Sequence, residues 1–308
     1  MDATPPAPPS LRVAVTGASG LIGSALTRRL EADGHRVLRL VRHAPKGPAE
    51  ARWDPASGQV DGAALEGVDA VVNLAGENVG ERWTDDRRRR IRQSRVEGTR
   101  LLAQTLAGLA AKPKVLVNAS AVGIYGDRGD ERVDEMSAPG GGFLAEVVRD
   151  WEAAAEPASQ AGIRVVLPRF GVVLSAKGGA LARMLTPFRL GAGGTMGRGR
   201  QWMSWVSLDD AVDVLYLSLV DERLSGPVNA VAGAVTNQEF TRTLAKVLNR
   251  PALVRVPAFA LKLAFGEMAK ETILSSQRVD HRKLTQLGYS FAQPELEGAL
   301  RATLAETG

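Results

Sequence analysis

The run over residues 12–23, Arg-Val-Ala-Val-Thr-Gly-Ala-Ser-Gly-Leu-Ile-Gly, constrains this chain more than any other stretch. Val13 and Val15 belong to a short β-branched run that reads as a buried strand. From Leu21 through Leu26 and Leu30 the apolar residues repeat at helical spacing. Between strand and helix lie Gly17, Gly20 and Gly23, spaced G-x-x-G-x-x-G rather than the usual G-x-G-x-x-G. Strand, glycine turn and helix is the context in which such glycines carry information. Gly17 allows the turn, Gly20 lets backbone approach a pyrophosphate, and Gly23 lets the helix pack on its strand. N–H groups at the helix start, aided by the helix dipole, then face the phosphates. The alternative is an ordinary βα turn that happens to be rich in glycine.

The end of the second strand, over residues 35–41, bears on the cofactor. An NAD-binding unit places an acid there for the ribose hydroxyls. This chain has Leu40, Val41, Arg42 and His43. Arg42 suits a 2′-phosphate, so NADP(H) is expected over NAD, against the alternative of a solvated loop arginine. Further strands over residues 70–74, 115–120 and 164–167 alternate with helices over 84–109 and 143–156. The small residues Ala75 and Gly76 follow one of these strands at the end where ligands bind in such sheets. The alternation predicts an α/β, Rossmann-like, doubly wound parallel sheet. From Gly178 the chain becomes glycine-rich around an apolar helix over 180–190. Either Asp209 or Asp210 caps the next helix, and Asn237 begins another. The expected division is a disordered leader over 1–10, a Rossmann domain over 11–177 to which 206–232 return, and a smaller C-terminal substrate lobe from 178–205 and 233–308.

Composition removes several alternatives. The chain has no cysteine, so it has no disulfide frame and no thiol nucleophile. Its three histidines, His35, His43 and His281, are too scattered for a metal cluster, and no metal is expected. No stretch is long and apolar enough to span a membrane, and the start lacks the features of a signal peptide. The expectation is a cytoplasmic protein with a small-molecule partner, no membrane and no nucleic acid; its oligomeric state is open, a homodimer included. The net charge of +5 suits an anionic cofactor and substrate. Arg87 to Arg90 form the sharpest basic run, which reads as a solvated helix face without the aromatic platform that nucleic acid would use.

Taken in order, the loop motifs resemble the extended, epimerase-like side of the short-chain dehydrogenase/reductase superfamily. More narrowly, they resemble a subgroup of epimerase-family oxidoreductases with a characteristic C-terminal domain, sometimes labelled cell-division inhibitor homologues. The resemblance rests on Val15 through Gly23, Asn73-Leu74-Ala75-Gly76-Glu77-Asn78, Arg82-Trp83 and Ser94-Arg95 with Thr99. It continues with Tyr125-Gly126, Trp151-Glu152, Gly171-Val172-Val173-Leu174, Pro187-Phe188 and Gly199 with Gln201 and Trp205. In the tail, Gln277-Arg278-Val279, Gly288, Tyr289 and Phe291 extend it to about residue 305. It implies an NADP(H) site in which Gly17, Ser19, Gly20, Leu21 and Ile22 hold the pyrophosphate and Arg42 the 2′-phosphate. Asn73, Leu74, Ala75 and Gly76 would line the ribose. Arg89 and Ser94 would reach the cofactor from their helix, and Val172 would meet the carboxamide through its backbone.

The chain departs from that family at the proton-transfer pair. Active relatives use Tyr-x-x-x-Lys, the lysine lowering the tyrosine pKa. The matching positions here are Phe143 and Val147, and the subgroup that the chain resembles lacks the pair as a whole. Ser120, at a strand end near the nicotinamide, and Tyr125, in the next loop, are the candidate replacements. Each has a plainer role as a backbone-bonding hydroxyl or a packed ring. Glu77, Arg169, Gln201 and Trp205 are the candidate substrate contacts. Two functions remain: an epimerase-like NADP(H)-dependent oxidoreductase acting on a small molecule, or a non-catalytic NADP(H) sensor or scaffold.

Overall fold

A computed structural model of the chain describes residues 10–305. Residues 1–9 of the expected leader lie outside the described residues. The first strands are β1 (Arg12–Thr16), β2 (Arg36–Val41), β3 (Glu50–Asp54), β4 (Gln59–Val60) and β5 (Ala70–Asn73). Helix α1 (Leu21–Ala32) joins β1 to β2, and the single turn α2 (Gly62–Leu65) precedes β5. The long α3 (Asp85–Ala107) leads to β6 (Val115–Asn118), β7 (Ser120–Ala121) and β8 (Arg132–Val133). Next come α4 (Phe143–Ala153), α5 (Glu156–Gln160), β9 (Arg164–Phe170), β10 (Val172–Leu174), α6 (Gly179–Arg189), β11 (Gly194–Met196) and β12 (Trp202–Ser207). The chain ends with α7 (Leu208–Val220), β13 (Gly226–Ala230), β14 (Gly233–Thr236), α8 (Asn237–Leu248), β15 (Val254–Val256), α9 (Ala258–Phe265), β16 (Arg278–Val279), α10 (Arg282–Gln286) and α11 (Leu296–Ala305).

The main sheet runs β13-β9-β6-β5-β1-β2-β3-β4 and is parallel except where β4 turns back on β3. Successive residues of its central strands face opposite sides. Val13, Val15 and Val72 join one buried cluster with Leu26 of α1, whereas Ala14 and Val71 join another with Leu102 of α3. Both faces are therefore covered by helices, which is why the strands are almost continuously apolar. The strand order reverses between β1 and β5, where Thr16 pairs in register with Asn73. That reversal opens a crevice at the carboxyl ends of the two strands, the place where such sheets bind ligands.

A second, three-stranded sheet runs β10-β12-β14, and β11 pairs with β15 in a small ribbon. Helix α7 packs on α1, and β13 forms the edge of the main sheet beside β9. The cap of α7 differs from the one expected. Ser207 caps α7, accepting from the Asp210 N–H at 3.0 Å. Thr236 caps α8, accepting from Glu239 at 3.2 Å. In α7 the hydroxyl residue lies before the acid expected to cap it, while α8 begins at Asn237 as expected; in both, the extended backbone of the capping residue leaves its oxygen free to turn back. Asp210 is freed to bind the tail, accepting from the backbone N–H groups of Ala292 at 2.7 Å and Gln293 at 3.1 Å. Among the described residues, no helix is long and apolar enough to cross a membrane.

Candidate functional site

The glycine turn leaves no room for side chains. Gly17 has a φ of +66°, and a Cβ there would lie 2.9 Å from the Leu74 carbonyl. A Cβ on Gly23 would lie 2.1 Å from the Gly17 carbonyl oxygen. Gly20 has an ordinary extended backbone and caps α1 without a side-chain hydrogen bond. The first turn of α1 thus starts with no capping side chain and no acidic residue. Ser19 and Gly20 are exposed on this turn, with Leu21 and Ile22 half-buried behind them.

A buried polar network holds the two strand ends together. Thr16 Oγ1 donates to Asn73 Oδ1 at 2.6 Å and accepts from the N–H groups of Leu74 and Ala75 at 3.0 and 3.1 Å. Asn73 Nδ2 donates to Thr99 Oγ1 and Asn118 Oδ1. The Trp151 indole donates to the same Thr99 oxygen at 2.9 Å. The Asn73 side chain is thus turned inward, and of the four residues expected to line a ribose, Leu74, Ala75 and Gly76 form the open edge. Ser94 works through the loop: its hydroxyl accepts from the Glu77 N–H at 3.0 Å and donates to the Ile91 carbonyl at 3.1 Å. Arg89 is exposed and paired with Asp86 at 3.0 Å, so it does not reach the crevice. The helix period explains this, because Arg89 lies on the solvent side of α3 while Ile91 is buried.

Arg95, which drew no separate role from the sequence, lies beneath Gly76. Its guanidinium atoms are 3.1 to 3.3 Å from where a Gly76 Cβ would sit. Nη1 donates to the carbonyls of Glu77 and Ile91 at 3.0 and 3.3 Å, and the guanidinium carbon stands 5.2 Å from the centre of the Trp151 ring. Among the described residues it bonds no carboxylate. Burial pulls its pKa down to about 10, only partly opposed by the charge of Glu77. At the end of β2 the Arg42 side chain is exposed and makes no bond among the described residues; its carbonyl accepts from Arg52.

The proton-transfer candidates are drawn together, but away from solvent. Ser120 and Ala121 alternate along β7, the serine buried at 3 % exposure and the alanine half-buried on the other face, against the cluster around Val122 and Val148. Ser120 donates to Glu152 Oε1 at 2.5 Å. Arg169 binds both oxygens of Glu152 at 2.8 Å and also donates to the Tyr125 hydroxyl at 2.9 Å. That hydroxyl in turn donates to Asn229 Oδ1 at 2.8 Å. Tyr125 is fully buried, and burial pushes its phenol up from the usual value against the pull of Arg169. Arg169 is held above the ordinary arginine value: burial opposes its charge, but the hydrogen bonds and charge of Glu152 prevail, with Tyr125 adding to them.

These positions correct the expectations for Ser120, Tyr125 and Arg169. Both hydroxyls and the guanidinium are buried and hydrogen-bonded to one another's partners inside the protein. Trp205, expected to meet substrate, is also buried, with 1 % exposure, on the central strand of the second sheet. Gln201 spends its amide on the carbonyls of Met196 and Ile273, and Glu77 is held near Arg87 and Arg90. Val172 opens β10, half-buried and in register with Trp205.

Helix α4 begins at Phe143, packed against Trp83 with ring centres 5.1 Å apart; Val147 lies buried one turn on. Glu271 of the C-terminal part caps this helix, accepting from the N–H groups of Phe143 and Leu144 at 3.0 and 2.8 Å. Beside it opens a cavity of about 320 Å³ lined by Gly123, Gly126, Gly142, Leu144, Lys270 and Glu271. The arginine run is not a free basic face. Arg87 pairs with Glu81, Arg88 with Glu267, and both Arg89 and Arg90 with Asp86.

Comparison with known proteins gives this crevice a lineage. Residues 13–230 match the NAD dependent epimerase/dehydratase family, and residues 256–303 match a domain of unknown function, DUF1731. The epimerase family protein Mb2239 of Mycobacterium bovis is 47 % identical over 290 residues, covering 94 % of this chain and 96 % of that protein. A crystal structure of the human epimerase family protein SDR39U1 (isoform 2) with NADPH superposes with a TM-score of 0.88 at 36 % identity, covering 96 % of this chain and 99 % of that one. MoeE5 in complex with UDP-glucuronic acid and NAD shares the fold, with a TM-score of 0.77 at 24 % identity and coverage of 96 % and 98 %. The chain belongs to the NAD-dependent epimerase/dehydratase family and, like an extended short-chain dehydrogenase/reductase with a DUF1731 C-terminal domain, builds its Rossmann-like sheet around the glycine turn at Gly17.

Proposed function

We propose that the chain binds NADP(H) across the ends of β1 and β5 and exchanges hydride with a small molecule held between the main sheet and the C-terminal lobe. The observation that carries this reading is the cradle at Gly17 and Gly23, where backbone closes on backbone and α1 opens without a cap. Gly17, Ser19, Gly20, Leu21 and Ile22 hold the pyrophosphate in this reading, and Leu74, Ala75 and Gly76 the ribose. Val172 offers its backbone to the carboxamide. The NADPH in the human SDR39U1 structure supports the same choice of cofactor. When bound, the cofactor supplies the hydride, and the chain's own residues orient it and exclude water.

Arg42 selects the 2′-phosphate in this reading, because its exposed guanidinium has no competing partner. Calorimetric titration with NADPH, NADP, NADH and NAD tests it. Hydrogen bonds to a charged group contribute about 1.5–3 kcal/mol, so Arg42→Ala weakens NADPH binding by roughly 10- to 100-fold and leaves NADH unchanged. If none of the four binds to the wild type, the cofactor reading fails. Arg95 serves both cofactors alike by holding the Glu77 carbonyl beneath Gly76: Arg95→Met removes that charge-assisted hydrogen bond and weakens NADPH and NADH by about tenfold each.

A second reading, NADP(H) binding without turnover, is favoured by one observation. By the family resemblance, Phe143 and Val147 take the places of the proton-transfer tyrosine and lysine, and Ser120 and Tyr125 are hydrogen-bonded inside the buried network. NADPH oxidation across a panel of carbonyl compounds separates the two. Turnover by the wild type supports the oxidoreductase; tight binding with no turnover supports the sensor.

A further inference from the structure

The C-terminal lobe carries a face that the cofactor reading leaves unused. It is built by two segments, residues 178–205 and residues 250–265. Together they hold seven Arg and Lys side chains and no Asp or Glu. Seven exceeds the net charge of the whole chain, +5, so the remainder of the molecule is net acidic. Among the described residues, none of the seven forms an ion pair; Arg183 and Arg250 donate only to the backbone carbonyls of Gly80, Arg189 and Asn249.

The two segments are stitched into one surface. Strands β11 and β15 pair with Thr195 opposite Arg255. Arg250 Nε donates to the Arg189 carbonyl at 3.1 Å, and Gly191 lies against Pro251. Gly197 lies against Ala258, at the start of α9. On this frame four large apolar side chains stand in solvent: Leu190 at 78 %, Leu253 at 90 %, Phe259 at 73 % and Leu263 at 77 % exposure. Phe259 and Leu263 are one helical turn apart on α9, so they share a face, and Lys262 is exposed beside them.

We propose that this face docks on an anionic lipid surface. Protruding apolar side chains flanked by unpaired cations satisfy both halves of that interface, the leucines and Phe259 entering the acyl boundary and the Arg and Lys heads meeting lipid phosphates. A nucleic acid uses the cations but gains nothing from Leu190, Leu253 and Leu263, and the single ring of Phe259 among them is no row of aromatics on which successive bases stack. A second copy meeting this face through its own sets cations against cations, and like charges facing each other oppose such assembly. A peripheral contact of this kind needs no spanning helix.

Vesicle flotation of the full chain tests the proposal, comparing pure phosphatidylcholine with phosphatidylcholine carrying a one-third share of phosphatidylglycerol. The protein floats with the anionic vesicles at low salt and stays behind with the neutral ones. Phe259→Ser/Leu263→Ser and, separately, Arg255→Glu/Lys262→Glu each reduce the floated fraction by about tenfold. All four positions are exposed, so the melting temperature of both variants stays at the wild-type value, and the charge variant keeps the test alive if the apolar one fails to fold. Three results overturn the proposal: equal binding to both vesicles, binding to neither, or a lipid-free dimer abolished by the same substitutions. Binding to duplex DNA that depends on Phe259 and Leu263 overturns it as well.

Discussion

Arg169→Met destabilises the protein by about 3–5 kcal/mol, the cost of leaving a buried carboxylate without its cation. In thermal denaturation that is a fall in Tm on the order of 10 °C. Arg169 and Glu152 side chains are 7 % and 11 % exposed, so solvent cannot take over when the guanidinium is gone. The loss reaches further than one pair. Glu152 also accepts from Ser120, and Arg169 donates to Tyr125, whose hydroxyl continues to Asn229. The substitution therefore leaves Glu152 with one neutral donor. It also leaves the phenol of Tyr125 without its cationic partner. Arg169→Met/Glu152→Leu removes the stranded charge and recovers part of the loss, since a buried pair replaced whole by apolar side chains costs less than a pair broken. If Arg169→Met melts within about 1 kcal/mol of wild type, the network is not what fixes β7, β9, β13 and α4 to one another.

Much of the fold was legible because it is local and periodic. A β-branched run, a glycine turn and a helical repeat recur along the chain, and parallel strands covered on both faces follow from continuous apolar runs such as Ala70 to Val72. The buried network was not legible, because its members are far apart in sequence. Ser120 and Glu152 are separated by 32 positions, and Tyr125 and Asn229 by 104. Each residue taken alone looks like chemistry: a serine at a strand end, a tyrosine in a loop. Two signals pointed the other way. An arginine at position 169 inside the apolar strand Arg-Val-Val-Leu-Pro-Arg-Phe needs a buried acid, and Glu152 next to the inward Trp151 is the acid available. The period of two in β7 sends Ser120 and Ala121 to opposite faces, so the less buried position is the one without a hydroxyl. Arg95 escaped notice because helical spacing alone does not show that it underlies a glycine 19 positions earlier in the chain.

Gly23→Ala has the second large effect, and here two opposed terms can be weighed. Alanine in place of glycine inside a helix gains up to about 1 kcal/mol of helical stability. Position 23 is the third residue of α1, so propensity alone favours the change. The added Cβ, however, would lie 2.1 Å from the Gly17 carbonyl oxygen, 2.8 Å from the Gly17 carbonyl carbon and 3.0 Å from the Ala18 Cα. All three are backbone atoms of the turn, and none can swing away as a side chain does. Forcing a methyl group into packed surroundings costs about 1–3 kcal/mol, more where backbone must move, so the steric term wins and the variant is less stable. The displacement also carries the start of α1 away from Leu74 and Ala75, opening the crevice proposed to hold the pyrophosphate. NADPH affinity therefore falls by about 100-fold or more, beyond what the stability loss alone removes, since a misaligned helix start forfeits several charge-assisted hydrogen bonds together. Gly20→Ala provides the scale: its Cβ would meet the Gly17 oxygen at 3.2 Å, a contact that a few tenths of an ångström relieve, and its effect on binding is intermediate. Calorimetric titration of NADPH against the three proteins reads the series directly. Wild-type affinity in folded Gly23→Ala would place the cofactor somewhere other than this turn.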